Sequence, residues 1–297
     1  MKKLIISLVM FLAFATGLQA QNVSVSLTRN YMNGNTTWDT FFYYDIIHSR
    51  LTLPYSGRTH TLGINVEKSD IFLNFEMGLS NYGNLHLAKY NVNEGRDSDW
   101  NGNFLRHVSS SDLLFDNSDY KLNLGIVFDD ISLFGSYYKY DSDFQMINGV
   151  LRVRPGIFGG LEILNKKFNS LNSTYILNYQ AFGFGLTKSQ DLLFGLIQLN
   201  GTFTYYPKFT IEGEGYWNIR DLIFRHKSKS GQQIVANFAL VLKPIERLHV
   251  KFGYDFAKYW AKGETTKFGN VNLKKIENRW VINNEVKGFN WGLVYNF

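Results

Sequence analysis

Apolar and polar residues alternate with a period of two along most of this 297-residue chain. Such alternation marks strands with one face in an apolar environment and the other in a polar one. Ile71, Leu73, Phe75, Met77 and Leu79 interleave with Phe72, Asn74, Glu76, Gly78 and Ser80. Tyr120, Leu122, Leu124, Ile126 and Phe128 interleave with Lys121, Asn123 and Gly125. Ile234, Ala236, Phe238, Leu240 and Leu242 form a third apolar face. Leu248, Val250, Phe252, Tyr254 and Phe256 form a fourth, opposite His249, Lys251, Gly253 and Asp255. Very short connections fall at Glu67–Asp70, Phe128–Asp130, Lys188–Asp191 and Lys243–Glu246. They trade places with long polar stretches near 83–110, 146–172, 207–231 and 260–278, and a shorter one around 32–40. The strands between are predicted at roughly 22–31, 41–66, 70–82, 111–127, 131–145, 173–187, 191–206, 232–242, 247–260 and 279–297.

A soluble sandwich also alternates. Strict exchange of tight turns and long loops is instead the pattern of a transmembrane antiparallel up-and-down β-barrel. The expected fold is therefore all-β, with about ten strands, apolar faces toward lipid and polar faces toward the lumen. The turns would be periplasmic, the long loops extracellular, and an even strand count would bring both termini to the periplasmic side. The last strand alternates Phe289, Trp291, Leu293, Tyr295 and Phe297 with Asn290, Gly292 and Asn296. A terminal Phe on such a strand resembles the signal read by barrel-assembly machinery, an expected partner during biogenesis.

The first twenty residues have a basic start at Lys2 and Lys3, an apolar stretch from Leu4 to Ala15 and small or polar residues from Gly17 to Ala20. This is the form of a secretory signal peptide. The expected division is 1–20 signal peptide and 21–297 barrel, located in the bacterial outer membrane. No later apolar run approaches the ~20 residues of a membrane helix. The 18 Tyr and 25 Phe suit a barrel with aromatic girdles. The absence of cysteine removes disulfides and thiolate metal sites, and neither a metal nor another cofactor is expected. The formal charge of +6 falls to +4 once Lys2 and Lys3 leave (6 − 2), too diffuse to suggest nucleic acid. A ten-strand barrel is narrow, so Glu76, Lys121, Lys251 and Asp255 are expected to pair across the lumen, against a general diffusion pore.

Candidate chemistry lies in the second long loop, NEGRDSDWNGNFLRH. Asp97 and Asp99, two apart, point the same way on an extended segment and could hold a water, share a proton or bind a cation. A solvated turn is the plainer reading of the same residues.

The chain here resembles the omptin family of outer-membrane proteases, ten-strand barrels whose loops rise well above the membrane. HSRLTLPYSGRTHTLGINVEKSDIFLNFEMGLSNYG is similar to the second and third omptin strands, and RDSDW to the family's Asp-x-Asp-Trp. LRHVSSSD follows as the Ser-Arg-His segment does, and LFGSYYKYDSDF, YQAFGFGLTKSQD and GTFTYY resemble the fifth, sixth and seventh strands. The resemblance implies that Asp97 and Asp99 position a water that attacks a peptide, opposite an Asp-x-His pair. That pair is missing: Ile46, Arg58, Asn84, Leu105, Phe224 and Arg247 stand two residues before the six histidines. His226 and His107 are the replacement candidates for the base. Asp221 lies five residues before His226, a spacing that puts the two on opposite faces of a strand. Glu212 and Glu214 share a face, but a carboxylate base needs a raised pKa. The omptin face for lipopolysaccharide phosphate, Tyr-x-Glu-x-Arg, reads Tyr137, Lys139, Asp141 here. Tyr137 and Lys139 remain as lipid-binding candidates, with Asp141 opposed to phosphate.

Three functions follow. The leading one is an omptin-like surface barrel without conventional protease activity. The second is an active endopeptidase of aspartic type with Asp97, Asp99 and a rearranged histidine. The third is a structural or adhesin-like binding barrel. A small-molecule channel fits least.

Overall fold

The computed structural model describes residues 22–42, 47–79, 88–90, 107–153, 164–167, 171–217, 222–269 and 276–297. Among these residues there are twelve strands: β1 (Asn22–Phe42), β2 (Ile47–Lys68), β3 (Ile71–Leu79), β4 (Ala88–Tyr90), β5 (His107–Phe128), β6 (Ile131–Val153), β7 (Leu164–Lys167), β8 (Leu171–Leu192), β9 (Ile197–Trp217), β10 (Leu222–Leu242), β11 (Leu248–Gly269) and β12 (Ile276–Asn296). β4 and β7 are short additions to the edges of β5 and β6. The other ten close on themselves in the order β5-β3-β2-β1-β12-β11-β10-β9-β8-β6, with β6 returning to β5. Every pairing is antiparallel, as the ten-strand reading requires. Closure removes the free edges that an open sheet would expose. The seam joins the last strand to the first, Ser24 opposite Asn296, and the Phe297 amide donates to the Val23 carbonyl at 2.9 Å.

Two expectations about connections are corrected. The stretches 32–40, 146–153, 207–217, 222–231 and 260–269, read as loops, are strand. Their polar residues lie on strands of 21 to 23 residues that continue the barrel wall. A membrane strand needs only about 9–11 residues, so roughly half of each long strand lies outside the apolar band. The turn expected at Lys188–Asp191 falls at Leu193–Gly195, because β8 runs on to Leu192. The segment 1–20 and most of 83–106 lie outside the described residues.

Ile71, Leu124, Phe238 and Phe252 of the four apolar faces are exposed on the outside as predicted, while Asn74, Glu76, Lys121, Asn123, Lys251 and Asp255 line the lumen, which Phe256 also touches. The polarity then inverts partway up. On β8, exposed Phe182, Phe184 and Leu186 give way to exposed Asn178 and Gln180, while the inward side changes from Thr187 and Ser189 to Tyr175, Leu177, Tyr179 and Ala181. Below the inversion the wall is built for lipid; above it, the outer face is built for water and the inner face is a packed core. Outward rings mark the change: Tyr137 lies 6.0 Å from Tyr120 and 4.8 Å from Phe182, and Tyr254 lies 5.0 Å from Phe289.

Candidate functional site

The half of the barrel away from the turns is filled by side chains. Trp38, Tyr175, Leu177, Tyr179, Phe209, Ile211, Trp280 and Ile282 form one buried cluster, joined by Tyr138, Tyr140, Phe224 and Tyr259. Several contacts cross the lumen between strands that are not neighbours. Tyr179 on β8 and Tyr259 on β11 share a hydrogen bond at 3.2 Å between their hydroxyls. Trp38 on β1 meets Tyr175 on β8 at 5.4 Å between ring centres. Burial holds the phenols of Tyr175 and Tyr179 well above the ordinary value of 10, so both stay protonated.

His226 sits within this cluster. Its imidazole packs against Trp38 at 4.4 Å, Phe224 at 5.4 Å, Tyr175 at 5.5 Å and Trp280 at 6.0 Å. A local irregularity aims it there. On β10, Gln233 and Val235 face the lumen, so regular alternation would send even-numbered His226 outward. The register slips between Ser228 and Ser230, adding one residue and bringing Phe224 and His226 inside. β9 slips at the same level, where Phe182 opposes Lys208 but Phe184 opposes Tyr205. The extra residues there include Pro207, which lacks an amide to lend to the ladder and is tolerated at such a bulge. The Ser228 hydroxyl partly repairs the interrupted ladder by accepting the Ile211 amide at 2.7 Å.

The run Glu-Gly-Glu-Gly from 212 to 215 supplies room for these rings. Gly213 and Gly215 face inward, and a Cβ on Gly213 would lie 2.6 Å from the Tyr175 hydroxyl. Glu212 and Glu214 face outward, ion-paired with Lys227 at 3.0 Å and Arg225 at 2.6 Å. They are not site residues, since the alternation that buries the glycines expels the glutamates. Two buried donors remain in the box: the Trp38 indole N–H and the Tyr175 hydroxyl make no hydrogen bond to the described residues. Trp38, Tyr175, Phe224 and Trp280 escaped sequence reasoning. Their signals were the phase slip around Pro207 and the glycine alternation.

The structure treats the other candidates unequally. Asp97, Asp99 and Asp221 lie outside the described residues. His107 opens β5, its backbone opposite Val153, and its side chain is likewise not described. Tyr137 and Lys139 do face outward together, but the Lys139 ammonium is ion-paired with Asp141 at 3.0 Å. The same ammonium lies 5.9 Å from the centre of the Tyr120 ring.

The lumen also holds a cavity of about 800 Å³ that runs from Asn74, Asn123, Asn237 and Asn290 at the turn end up to Tyr138, Leu177, Tyr179 and Tyr259 of the cluster. Glu76 and Lys121 are direct cross-strand partners, and Asn237 and Asn290 both donate to Asp255. Of the expected pairing across the lumen, the structure shows Glu76 beside Lys121 on neighbouring strands and Asp255 held by two side-chain amides. No cluster of metal-ligating side chains occurs among the described residues.

An inward polar lumen, an outward apolar band and ten closed strands define an outer-membrane β-barrel. No protein-family model matches the chain, and no curated protein matches it. Among solved structures it matches the outer membrane protease OmpT from Escherichia coli, with a TM-score of 0.75 at 15% identity over 94% of this chain and 97% of that one. The likeness to omptins read from the sequence therefore holds for the fold. The translocator domain of the autotransporter NalP from Neisseria meningitidis scores 0.39 at 10% identity, covering 96% of this chain and 92% of that one. OprG from Pseudomonas aeruginosa scores 0.37 at 10%, covering 94% and 98%.

Proposed function

We propose that this chain is a surface barrel of the bacterial outer membrane, with its long-strand end outside the cell. It acts there as a binding platform rather than as a conventional omptin protease. The observation that carries this reading is the state of His226. Four aromatic rings pack on its imidazole, and the two carboxylates on the neighbouring strand turn outward into ion pairs. A general base has to reach the proton it removes, whereas this histidine is part of a packed floor. The buried donors of Trp38 and Tyr175 in that floor suit an acceptor group on a bound partner. Lipopolysaccharide remains a partner to test at Tyr137 and Lys139, against the ion pair with Asp141.

The second reading, an endopeptidase using Asp97 and Asp99, is favoured by one feature: His226 faces the barrel interior at the end where the long loops attach. The deciding experiment incubates refolded protein and lipopolysaccharide with a peptide library, comparing wild type with Asp97→Asn, Asp99→Asn, His226→Ala and His107→Ala. Cleavage should be absent, or roughly 10²-fold or more below that of an enzyme with a complete catalytic set. Robust cleavage lost in the aspartate variants would overturn the platform reading, and the histidine variants would then identify the base.

A further inference from the structure

The rim at the turn end is asymmetric. On one arc the turns are charged: Lys68, Ser69 and Asp70 between β2 and β3, and Asp129 and Asp130 between β5 and β6. Asp130 pairs with Lys188 at 3.6 Å. On the other arc the β8–β9 turn reads Leu192-Leu193-Phe194-Gly195-Leu196, and the β10–β11 turn, Lys243-Pro244-Ile245-Glu246-Arg247, carries one apolar residue, Ile245, at its tip between charged neighbours. Leu193, Leu196 and Ile245 are about three-fifths exposed and Phe194 is fully so. The two turns form one surface: the Lys243 amide donates to the Leu196 carbonyl at 2.9 Å, and the Lys243 ammonium meets Asp191 at 2.9 Å.

The backbone makes this apolar tip costly. Leu193 and Phe194 hold φ of 49° and 57°, and Gly195 holds 84°. On the charged arc that region is occupied by single polar residues, Ser69 and Asp129. An L side chain there costs roughly 1–2 kcal/mol, which Asn or Gly largely avoids. Among the described residues nothing covers the Phe194 side chain, which is fully exposed. The compensation must come from a surrounding phase or a partner.

We propose that the occupant is lipid: the apolar arc is seated in the acyl-chain boundary of the leaflet at the turn end. The β8–β11 side of the barrel then sits deeper in the bilayer than the β2–β6 side. Continuity identifies the occupant, because exposed Phe203 and Leu199 on β9 lead without a break into Leu196 and the turn. A protein-binding knob would stand apart from the lipid-facing wall, whereas this one extends it. A barrel whose one apolar turn, Leu192 to Leu196, stands out from a rim otherwise carrying charged turns balances its burial by tilting toward that turn.

The proposal rests on the barrel lying in a bilayer, and the test separates the two. The chain has no cysteine, so Phe194→Cys, Ile245→Cys, Asp129→Cys and Phe252→Cys each carry one nitrobenzoxadiazole label. The labelled proteins enter nanodiscs of phosphatidylethanolamine and phosphatidylglycerol, which leave both faces open to solution. Labels at 194 and 245 should resist iodide, with quenching constants roughly three-fold below that at 129, and be quenched by spin-labelled lipid. Leu193→Asn combined with Phe194→Gly relieves the backbone and should raise iodide access to a label at 245. If 194 and 245 are as open to iodide as 129 while 252 is lipid-quenched, the apolar arc stands in water and the inference is lost. If the label at 252 is also open to iodide, the membrane reading itself fails.

Discussion

In the half of the barrel near the turns, Asn74, Asn123, Asn237 and Asn290 face the lumen, and buried Ser136 bonds to Asn123. In the other half Tyr175, Leu177, Tyr179, Phe209, Ile211 and Trp280 do. The same strands build both, so the difference is one of solvent rather than of fold. Where lipid surrounds the wall, apolar side chains gain by pointing out and the lumen keeps amides, hydroxyls and paired charges. Where water surrounds it, the gain reverses and the lumen becomes a hydrophobic core. The first half is a polar chamber, and the second narrows it with an aromatic plug whose Tyr138, Tyr179 and Tyr259 line the chamber's upper end.

The contrast breaks most visibly at Trp280, which is fully buried and donates its indole N–H to the Glu264 carbonyl at 2.9 Å. Trp280→Ala should cost about 3–5 kcal/mol in urea titrations of the refolded barrel, the usual loss for a large aromatic in a packed core. A loss under about 1 kcal/mol would mean that the upper half is loosely filled and the plug description is wrong.

Next in size is the seal itself. Tyr179 and Tyr259 bridge strands on different sides of the lumen. The wild-type barrel should carry no steady current in planar bilayers, whereas Tyr179→Ala with Tyr259→Ala should open a measurable conductance. Current through the wild type would show that the rings do not close the path.

The polar half was largely legible in the sequence. Ile71, Leu124, Phe238 and Phe252 of the four alternating faces lie on the side assigned to them, because each strand there keeps one phase and one polarity. The strand count followed from them, whereas the pairing of the last strand with the first at Phe297 came from the structure. The upper half was read poorly for a physical reason: polarity inverts while the backbone continues, so residues such as Glu212, Glu214 and Lys227 resembled loop. Phase also slips beside Pro207 and Lys229, which hid the inward course of Phe224 and His226. Asp97 and Asp99, singled out by their spacing and then by resemblance, lie outside the described residues, so their part in a site stays an expectation.

In the polar half, a single deletion should matter less. The Ser136 hydroxyl bonds the Asn123 side-chain oxygen at 2.7 Å and the Tyr206 hydroxyl at 2.8 Å, joining β6 to β5 and β9. Ser136→Ala should cost about 1 kcal/mol, near the net worth of an ordinary hydrogen bond, because water in the chamber can replace the lost partner. A cost of about 3 kcal/mol would mark this level as dry and move the boundary between the halves toward the turns.

The smallest effect belongs to the outer face of the upper half, where Glu212 meets Lys227 and Glu214 meets Arg225. The four side chains are between 56% and 79% exposed, so water screens both pairs. Glu212→Gln and Glu214→Gln should each shift stability by less than about 1 kcal/mol, and the shift should vanish in high salt. Neither change should alter peptide cleavage or ligand binding, because both carboxylates point away from His226. A large loss of either activity in these variants, with stability intact, would place the working surface on the outside of the wall. The aromatic floor would then be packing alone, and the division of labour between the two faces of the upper strands would have to be reversed.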